Sequence, residues 1–218
     1  MQAFDSANSA IPGGLSGKTI FVPAGLSGTG SIALQFAKHV YRAAKVITTV
    51  STSKLPKIRQ LLGEDTVDQI VDCTKEDVLK KVEKGSVDFL YDTVGTGMAH
   101  LPLMKPKSGI IVSISNLPTG RVMARVMPQT PWISKRIFDA VDFWNRKRAG
   151  RWSVKWECLM MWLKVSDLDR ITRLAKEKRF RPVAGRVAKL GDLQEIRDAC
   201  TVIKSGKGGA GKFVIEMD

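Results

Sequence analysis

Short apolar runs and helically spaced apolar positions take turns along the first 115 residues. Residues 19–23 (TIFVP) form a short apolar, β-branched run and predict a strand; residues 29–41 place Ile32, Leu34, Phe36, Ala37 and Val40 at helical spacing. Residues 46–50 (VITTV) predict a second strand, and 55–62 a helix that Gly63 stops. A third short strand over 69–71 leads to a polar-faced helix over 75–83, with Thr74 as its expected cap. Residues 87–91 predict a fourth strand, 98–104 a helix and 109–115 (GIIVSIS) a fifth strand. Strands alternating with helices at this interval make βαβ units, so the expected fold is α/β: a doubly wound, Rossmann-type, mainly parallel sheet with helices on both faces.

The rhythm changes after residue 116. Residues 116–131 hold Pro118, Pro128 and Pro131 and are expected to be a long loop. Residues 132–147 predict an amphipathic helix with Ile133, Ile137, Ala140, Val141 and Trp144 on one face. Residues 153–163 (SVKWECLMMWL) predict a strand, 167–177 a helix capped by Ser166, 182–187 an extended stretch, 192–204 a helix and 212–217 a last strand. The expected organisation is an N-terminal segment or linker helix over 1–17, a dinucleotide-binding-type domain over 18–180 and a small C-terminal subdomain over 181–218.

Composition narrows the class. The chain has 218 residues, 44% hydrophobic and 26% charged, as a globular protein does, and no apolar stretch long enough to span a membrane. A membrane partner is therefore not expected, and with no signal peptide the expected location is cytoplasmic. Cys73, Cys158 and Cys200 are odd in number and widely spaced, and there are two histidines, His39 and His100, so neither a disulfide framework nor a metal site is expected. The net charge of +14 is uneven: residues 1–120 hold 13 Lys and Arg against 10 Asp and Glu, residues 121–218 hold 22 against 11. Such a balance permits polyanion binding, but no nucleic-acid fold signature accompanies it, so a nucleic-acid partner is not expected. The densest basic run, Arg146-Lys147-Arg148-Ala149-Gly150-Arg151, is expected to be a solvated loop.

The candidate chemistry lies in the turn Gly25-Leu26-Ser27-Gly28-Thr29-Gly30, between the first strand and the first helix. Glycines at such a turn let backbone N–H groups approach a pyrophosphate whose charge the helix N-terminus stabilises; alternatively they serve only tight helix–strand packing. The end of the second strand, Thr48-Thr49-Val50-Ser51-Thr52-Ser53-Lys54, has hydroxyls and a cation where an NAD site places a carboxylate. That suits a 2′-phosphate and hence NADP; the alternative is a helix cap followed by a solvated lysine. Asp92 ends the fourth strand, either as an acid–base group or as an acceptor for turn amides, with Ser115 and Asn116 on the same rim as weaker catalytic candidates. His100 is a possible proton shuttle or an ordinary partly exposed residue. GKGGAG (206–211) lacks phosphate-loop spacing and reads as a turn.

The segments GKTIFVPAGLSGTGSIALQFAK, VITTVSTSK, LYDTVG and GIIVSIS resemble, in order and spacing, the cofactor domain of the medium-chain dehydrogenase/reductase superfamily. The nearest branch is that of the zinc-free quinone oxidoreductases and enoyl reductases, and residues 170–218 are similar to that family's C-terminal run. The glycine turn departs from the family pattern at Gly25 and Ser27. The family's N-terminal GroES-like catalytic domain has no counterpart in this sequence, so its catalytic residues cannot be carried over. The resemblance implies that Gly28, Thr29 and Gly30 meet the pyrophosphate, Ser51 and Lys54 the 2′-phosphate, and Thr93, Val94 and Ser115 the nicotinamide side, with Lys212 as a late lysine reaching the cofactor. It also implies that residues 152–162, from Trp152 to Trp162, pair across a homodimer twofold, and that the tail is a remnant of the catalytic domain. The expected function is an NADPH-dependent quinone or enoyl reductase type of protein acting on a small hydrophobic enone-type metabolite. Two alternatives stay open: redox-neutral isomerisation or cyclisation in a repurposed crevice, and a non-catalytic binding module.

Overall fold

The structure is a computed structural model that describes residues 1–205 and 209–217. Part of the GKGGAG segment therefore lies outside the described residues. The N-terminal segment folds as α1 (Gln2–Ala10), and β1 (Thr19–Val22) comes after it. The glycine turn leads into α2 (Gly30–Gln35), whose last turns widen to π spacing over Phe36–Val40. Then come β2 (Lys45–Val50), α3 (Leu55–Leu62), β3 (Gln69–Asp72), the single turn α4 (Val78–Lys81) and β4 (Phe89–Asp92). A 3₁₀ segment over Gly97–Leu103, with Pro102 inside it, precedes β5 (Ile110–Ser113).

The second half contributes α5 (Gly120–Val126), α6 (Trp132–Arg151), β6 (Lys155–Cys158) and α7 (Val165–Lys176). The tail is β7 (Ala184–Lys189), α8 (Leu193–Lys204) and β8 (Lys212–Glu216). Strands β1 to β6 form one sheet in the order β3-β2-β1-β4-β5-β6, every pair parallel; β7 and β8 form a separate parallel pair. The order reverses between β1 and β4, the switch point where open α/β sheets bind ligands.

Alternation along the strands divides the core between the two faces of the sheet. Ile20, Val22, Val46, Phe89, Tyr91, Ile110 and Val112 face one side, where α1, α2 and α3 cover them. Phe21, Ile47, Leu90 and Ile111 face the other, with Leu101, Leu103, Ala149 and Trp156 packed on them. The N-terminal helix is part of the first core: Phe4 is fully buried and stacks on Tyr41 at 5.1 Å between centroids, with Phe89 edge-on at 5.1 Å and Tyr91 at 5.4 Å.

The tail docks on the same side. Gln35 is buried, and its side chain closes a two-way clamp on one residue: Nε2 donates to the Arg181 carbonyl at 3.0 Å, and Oε1 accepts from Arg181 N at 2.9 Å. Phe180 packs edge-on against Phe36 at 4.9 Å, and Gly211 N donates to the Leu26 carbonyl at 2.8 Å. These contacts bring the β7–β8 pair over the glycine turn.

The local expectations fail at several places. Thr74 does not cap the following helix: it donates to Asp72, and Asp77 caps the shorter α4 by accepting from Leu79 N. The proline-rich stretch holds α5, because its prolines flank the helix and Thr119 Oγ1 accepts from Val122 N at 3.4 Å. The basic run 146–151 is the last turn and a half of α6, held there by Ala149 in the second core. The strand expected over 153–163 stops at Cys158, because its partner β5 ends at Ser113, the residue opposite. Ser166 lies inside α7, whose N-cap position is Lys164. The apolar face of α6 also points outward rather than into the core: its inward residues include Asp142 and Ala149, while Ile133, Ile137 and Trp144 are exposed.

Candidate functional site

A crevice of about 870 Å³ opens beyond the carboxyl ends of β1 and β2, within the size range of small-molecule sites. Its floor is the glycine turn, fastened to β2 by two hydrogen bonds. Ala24 N donates to Thr49 Oγ1 and Gly25 N to the Thr49 carbonyl, each at 3.0 Å. Ala24 sits at φ 55°, a left-handed conformation uncommon outside glycine. Ser27 Oγ accepts from Gly30 N at 2.9 Å, so the serine at a glycine position of the fingerprint helps close the first turn of α2.

The glycines divide by role. A Cβ on Gly25 would collide with Thr48 Oγ1 and meet Leu34 Cδ1 at 2.8 Å; one on Gly30 would collide with the Ala24 carbonyl. Both positions are bare because strand, turn and helix pack closely there. A Cβ on Gly28 would instead meet the Lys212 side chain, with Cδ at 2.7 Å and Nζ at 3.1 Å. Gly28 lines the crevice; Gly25 and Gly30 lie behind it.

The structure brings Ser27, Gly28, Thr29, Ser51, Lys54, Thr93, Val94 and Lys212 together around this one cavity. Ser51 occupies the N-cap position of the 3₁₀ turn Thr52–Lys54, and its side chain makes no cap hydrogen bond there. Lys54 Nζ donates to the Gly209 carbonyl at 3.4 Å, joining the end of β2 to the tail. Thr93 Oγ1 donates to the Pro23 carbonyl at 3.3 Å across the switch point. Among the described lining residues the charged groups are Lys54, Arg186 and Lys212, and no Asp or Glu is present. Arg186 is also 3.4 Å from Glu195 on α8, which holds the guanidinium near the rim. Sequence reasoning missed Arg186 and Cys73; Arg186 carried no signal because only the folding-back of the tail places it here.

Asp92, Ser115 and Asn116 do not line this crevice. Asp92 is fully buried and acts as an anchor. Its Oδ1 accepts from Gly95 N at 2.8 Å and Thr96 N at 3.0 Å, and its Oδ2 from Ser113 Oγ at 3.0 Å and Asn116 Nδ2 at 3.3 Å. Ser115 N donates to Ser113 Oγ at 3.3 Å. The carboxylate thus holds the loops after β4 and β5 in place. His100 packs edge-on against Phe21 at 5.1 Å, and burial pushes its pKa below the usual imidazole value. Burial also raises the Cys158 thiol to about 11. Among the described residues no group of three His, Cys, Asp or Glu side chains gathers as metal ligands.

Comparison with known proteins gives concordant matches. The family model for zinc-binding dehydrogenases matches residues 66–215. A 2-methylene-furan-3-one reductase of Solanum lycopersicum is 31% identical over 157 residues, 62% of this chain and 39% of that protein. An NADPH-dependent alkenal/one oxidoreductase, chloroplastic, of Arabidopsis thaliana is 30% identical over 158 residues, again 62% and 39%. Among solved structures, a quinone oxidoreductase from Coxiella burnetii superposes with a TM-score of 0.71 at 22% identity, covering all of this chain and 56% of that one. The match therefore spans about two fifths of the curated relatives' length. The family's description implies zinc, but the three cysteines stand apart and the described residues do not fit a zinc site.

Proposed function

This chain belongs to the zinc-binding dehydrogenase family, within the medium-chain dehydrogenase/reductase superfamily, and on that premise we propose that it binds NADPH and forms the cofactor half of a reductase. One observation carries the reading: a dinucleotide-sized crevice at the switch point whose described charged groups are three cations. The glycine turn and the start of α2 would hold the pyrophosphate through backbone N–H groups, with Lys212 beside Gly28. Ser51 and Lys54, at the end of β2, would hold the 2′-phosphate as hydroxyl donor and cation. A carboxylate at this rim would select NAD instead. Thr93 and Val94 would flank the nicotinamide end.

When bound, the cofactor supplies a hydride. The substrate class that fits is a small hydrophobic molecule with a polarised double bond or a quinone, consistent with what the relatives' names state of those proteins. The apolar wall from Ala199, Val202 and Ile203 of α8 is compatible with such a partner. Redox-neutral isomerisation is less well supported, since the described lining has no carboxylate or imidazole to move a proton.

Titration of NADPH and NADH, followed by cofactor fluorescence and melting temperature, tests the reading. NADPH is expected to bind more tightly. Lys54→Ala is expected to weaken NADPH about tenfold or more, the loss typical of a charge-assisted hydrogen bond, and NADH much less. Equal losses for both would remove the 2′-phosphate assignment. No binding at roughly millimolar cofactor, far above a working affinity, would overturn the proposal.

A further inference from the structure

Helix α6 leaves large apolar side chains exposed instead of turning them into the core. Over its first three turns the outward ridge is Ile133, Ile137, Ala140 and Trp144, spaced at i, i+4, i+7 and i+11. The relative exposures of Trp132, Ile133, Ile137 and Trp144 are 72%, 55%, 54% and 56%, and Met127 in the preceding turn is at 57%. Over its last two turns the same ridge becomes basic, with Lys147, Arg148 and Arg151, and Lys147 Nζ lies 5.3 Å from the Trp144 ring centroid. The helix has 20 residues and is thus about 30 Å long. It covers the sheet face opposite α1, away from the cofactor crevice.

The charge around this ridge is one-sided. Residues 121–151 hold eight Lys and Arg against two acids, Asp139 and Asp142. The two acids offset only part of it: Asp142 is buried and paired with Arg146 at 2.6 Å, and Asp139, which accepts from Gly120 N at 2.8 Å, is the one exposed carboxylate of the stretch. A second copy of the chain on this face would set cations against cations if paired parallel, and would bury the basic turns against apolar ones if paired antiparallel. Nucleic acid would match the charge but would leave the isoleucines and methionine in water.

We propose that the outward face of α6, with the Met127–Trp132 turn at its tip, docks the protein reversibly on an anionic lipid bilayer surface. The apolar first turns enter the headgroup–acyl boundary, with Trp132 and Trp144 at the depth where indoles partition. Lys147, Arg148 and Arg151 meet the lipid phosphates. Among the described residues no helix is long and apolar enough to cross a membrane, and an interfacial helix needs no such span. The expectation of no membrane partner rested on spanning segments alone.

Flotation of the full chain with phosphatidylcholine vesicles, with and without phosphatidylserine, tests this. Flotation is expected only with the anionic vesicles and is expected to fall as salt rises. The triple variant Lys147→Ala, Arg148→Ala, Arg151→Ala is expected to lose on the order of a hundredfold in partitioning. The pair Ile133→Ser and Ile137→Ser is expected to lose binding without any change of charge. All five positions are on the surface, so unchanged circular-dichroism melting confirms that the fold is kept. Three results would each overturn the proposal. One is no flotation with anionic vesicles at low salt, and another is flotation indifferent to both variants. The third is retention on polyglutamate that survives the isoleucine changes while vesicles are ignored, which would reassign the face to an acidic protein.

Discussion

The glycine turn offered two readings, phosphate cradle or packing, and single residues separate them. Gly25 and Gly30 are bare because Thr48, Leu34 and the Ala24 carbonyl occupy the space a side chain needs. Gly28 is bare toward the crevice, where its neighbour is the flexible end of Lys212. Gly25→Ala and Gly30→Ala are therefore expected to destabilise the fold by about 1–3 kcal/mol through overpacking. Gly28→Ala is expected to leave the melting temperature nearly unchanged while weakening NADPH binding, because Lys212 must move. Thermal melts of the three variants with and without cofactor check this; a Gly28→Ala protein as unstable as the other two would erase the distinction. Asp92 shows the limit of reading a site from position alone. A carboxylate at the end of a central strand allows two readings in sequence, acid–base group or acceptor for turn amides; the fold shows the second, with Gly95 N and Thr96 N on Oδ1, and adds Ser113 and Asn116, which only the folded loops bring to it.

At the scale of elements, the alternating first half was legible because each strand is a short apolar run and each helix has its own period. The second half was less so. Prolines obscure α5 because a proline breaks a helix only from inside, and Pro118 and Pro128 stand outside this one. The ridge of α6 was visible as a period, but periodicity says only that one face is apolar, not which side the sheet lies on. The strand after α6 was overextended because apolar residues continue past Cys158, whereas the ladder depends on β5 and ends with it. The backbone beyond Cys158 is partly satisfied within the chain: Gln2 accepts from Trp162 N at 3.1 Å and donates to its carbonyl at 2.6 Å, as a neighbouring strand would. The side chains divide too, with Trp156 buried in the second core while Met161 and Leu163 stay exposed. A homodimer through the outer edge of β6 is the expected remedy for that edge, since a twofold pairing satisfies both copies and closes. Light scattering is expected to show a dimer that Met161→Lys with Leu163→Lys weakens; a clean monomer at high concentration would refute the pairing.

For the whole molecule, the main question is how the tail relates to the sheet. The β7–β8 pair with α8 is too small to be stable alone, and it leaves Val187, Leu190, Leu193, Ile203 and Ile215 exposed among the described residues. Its attachments among the described residues include the Gln35–Arg181 clamp, the Arg181 guanidinium on the Leu61 carbonyl, Val183 in the first core, Phe180 on Phe36, the Gly211–Leu26 bond and the contact of Lys54 with Gly209. Two of these lie at the crevice, which takes Ser51, Lys54 and Gly28 from the sheet domain and Arg186 and Lys212 from the tail. A cofactor bound there would bridge the two parts and stabilise their docking by RT ln(1 + [L]/Kd), about 2.7 kcal/mol at a hundredfold excess over Kd. Amide hydrogen exchange is therefore expected to be faster in residues 184–205 and 209–216 than in β1, β4 and β5 without ligand. NADPH is expected to slow the tail most, by up to about a hundredfold where local opening requires the tail to leave. The central strands already open only on global unfolding and would gain less. Protection confined to residues 24–30 and 51–54, with the tail unchanged, would mean that the phosphates are held by the sheet domain alone and that Lys212 and Arg186 merely stand nearby.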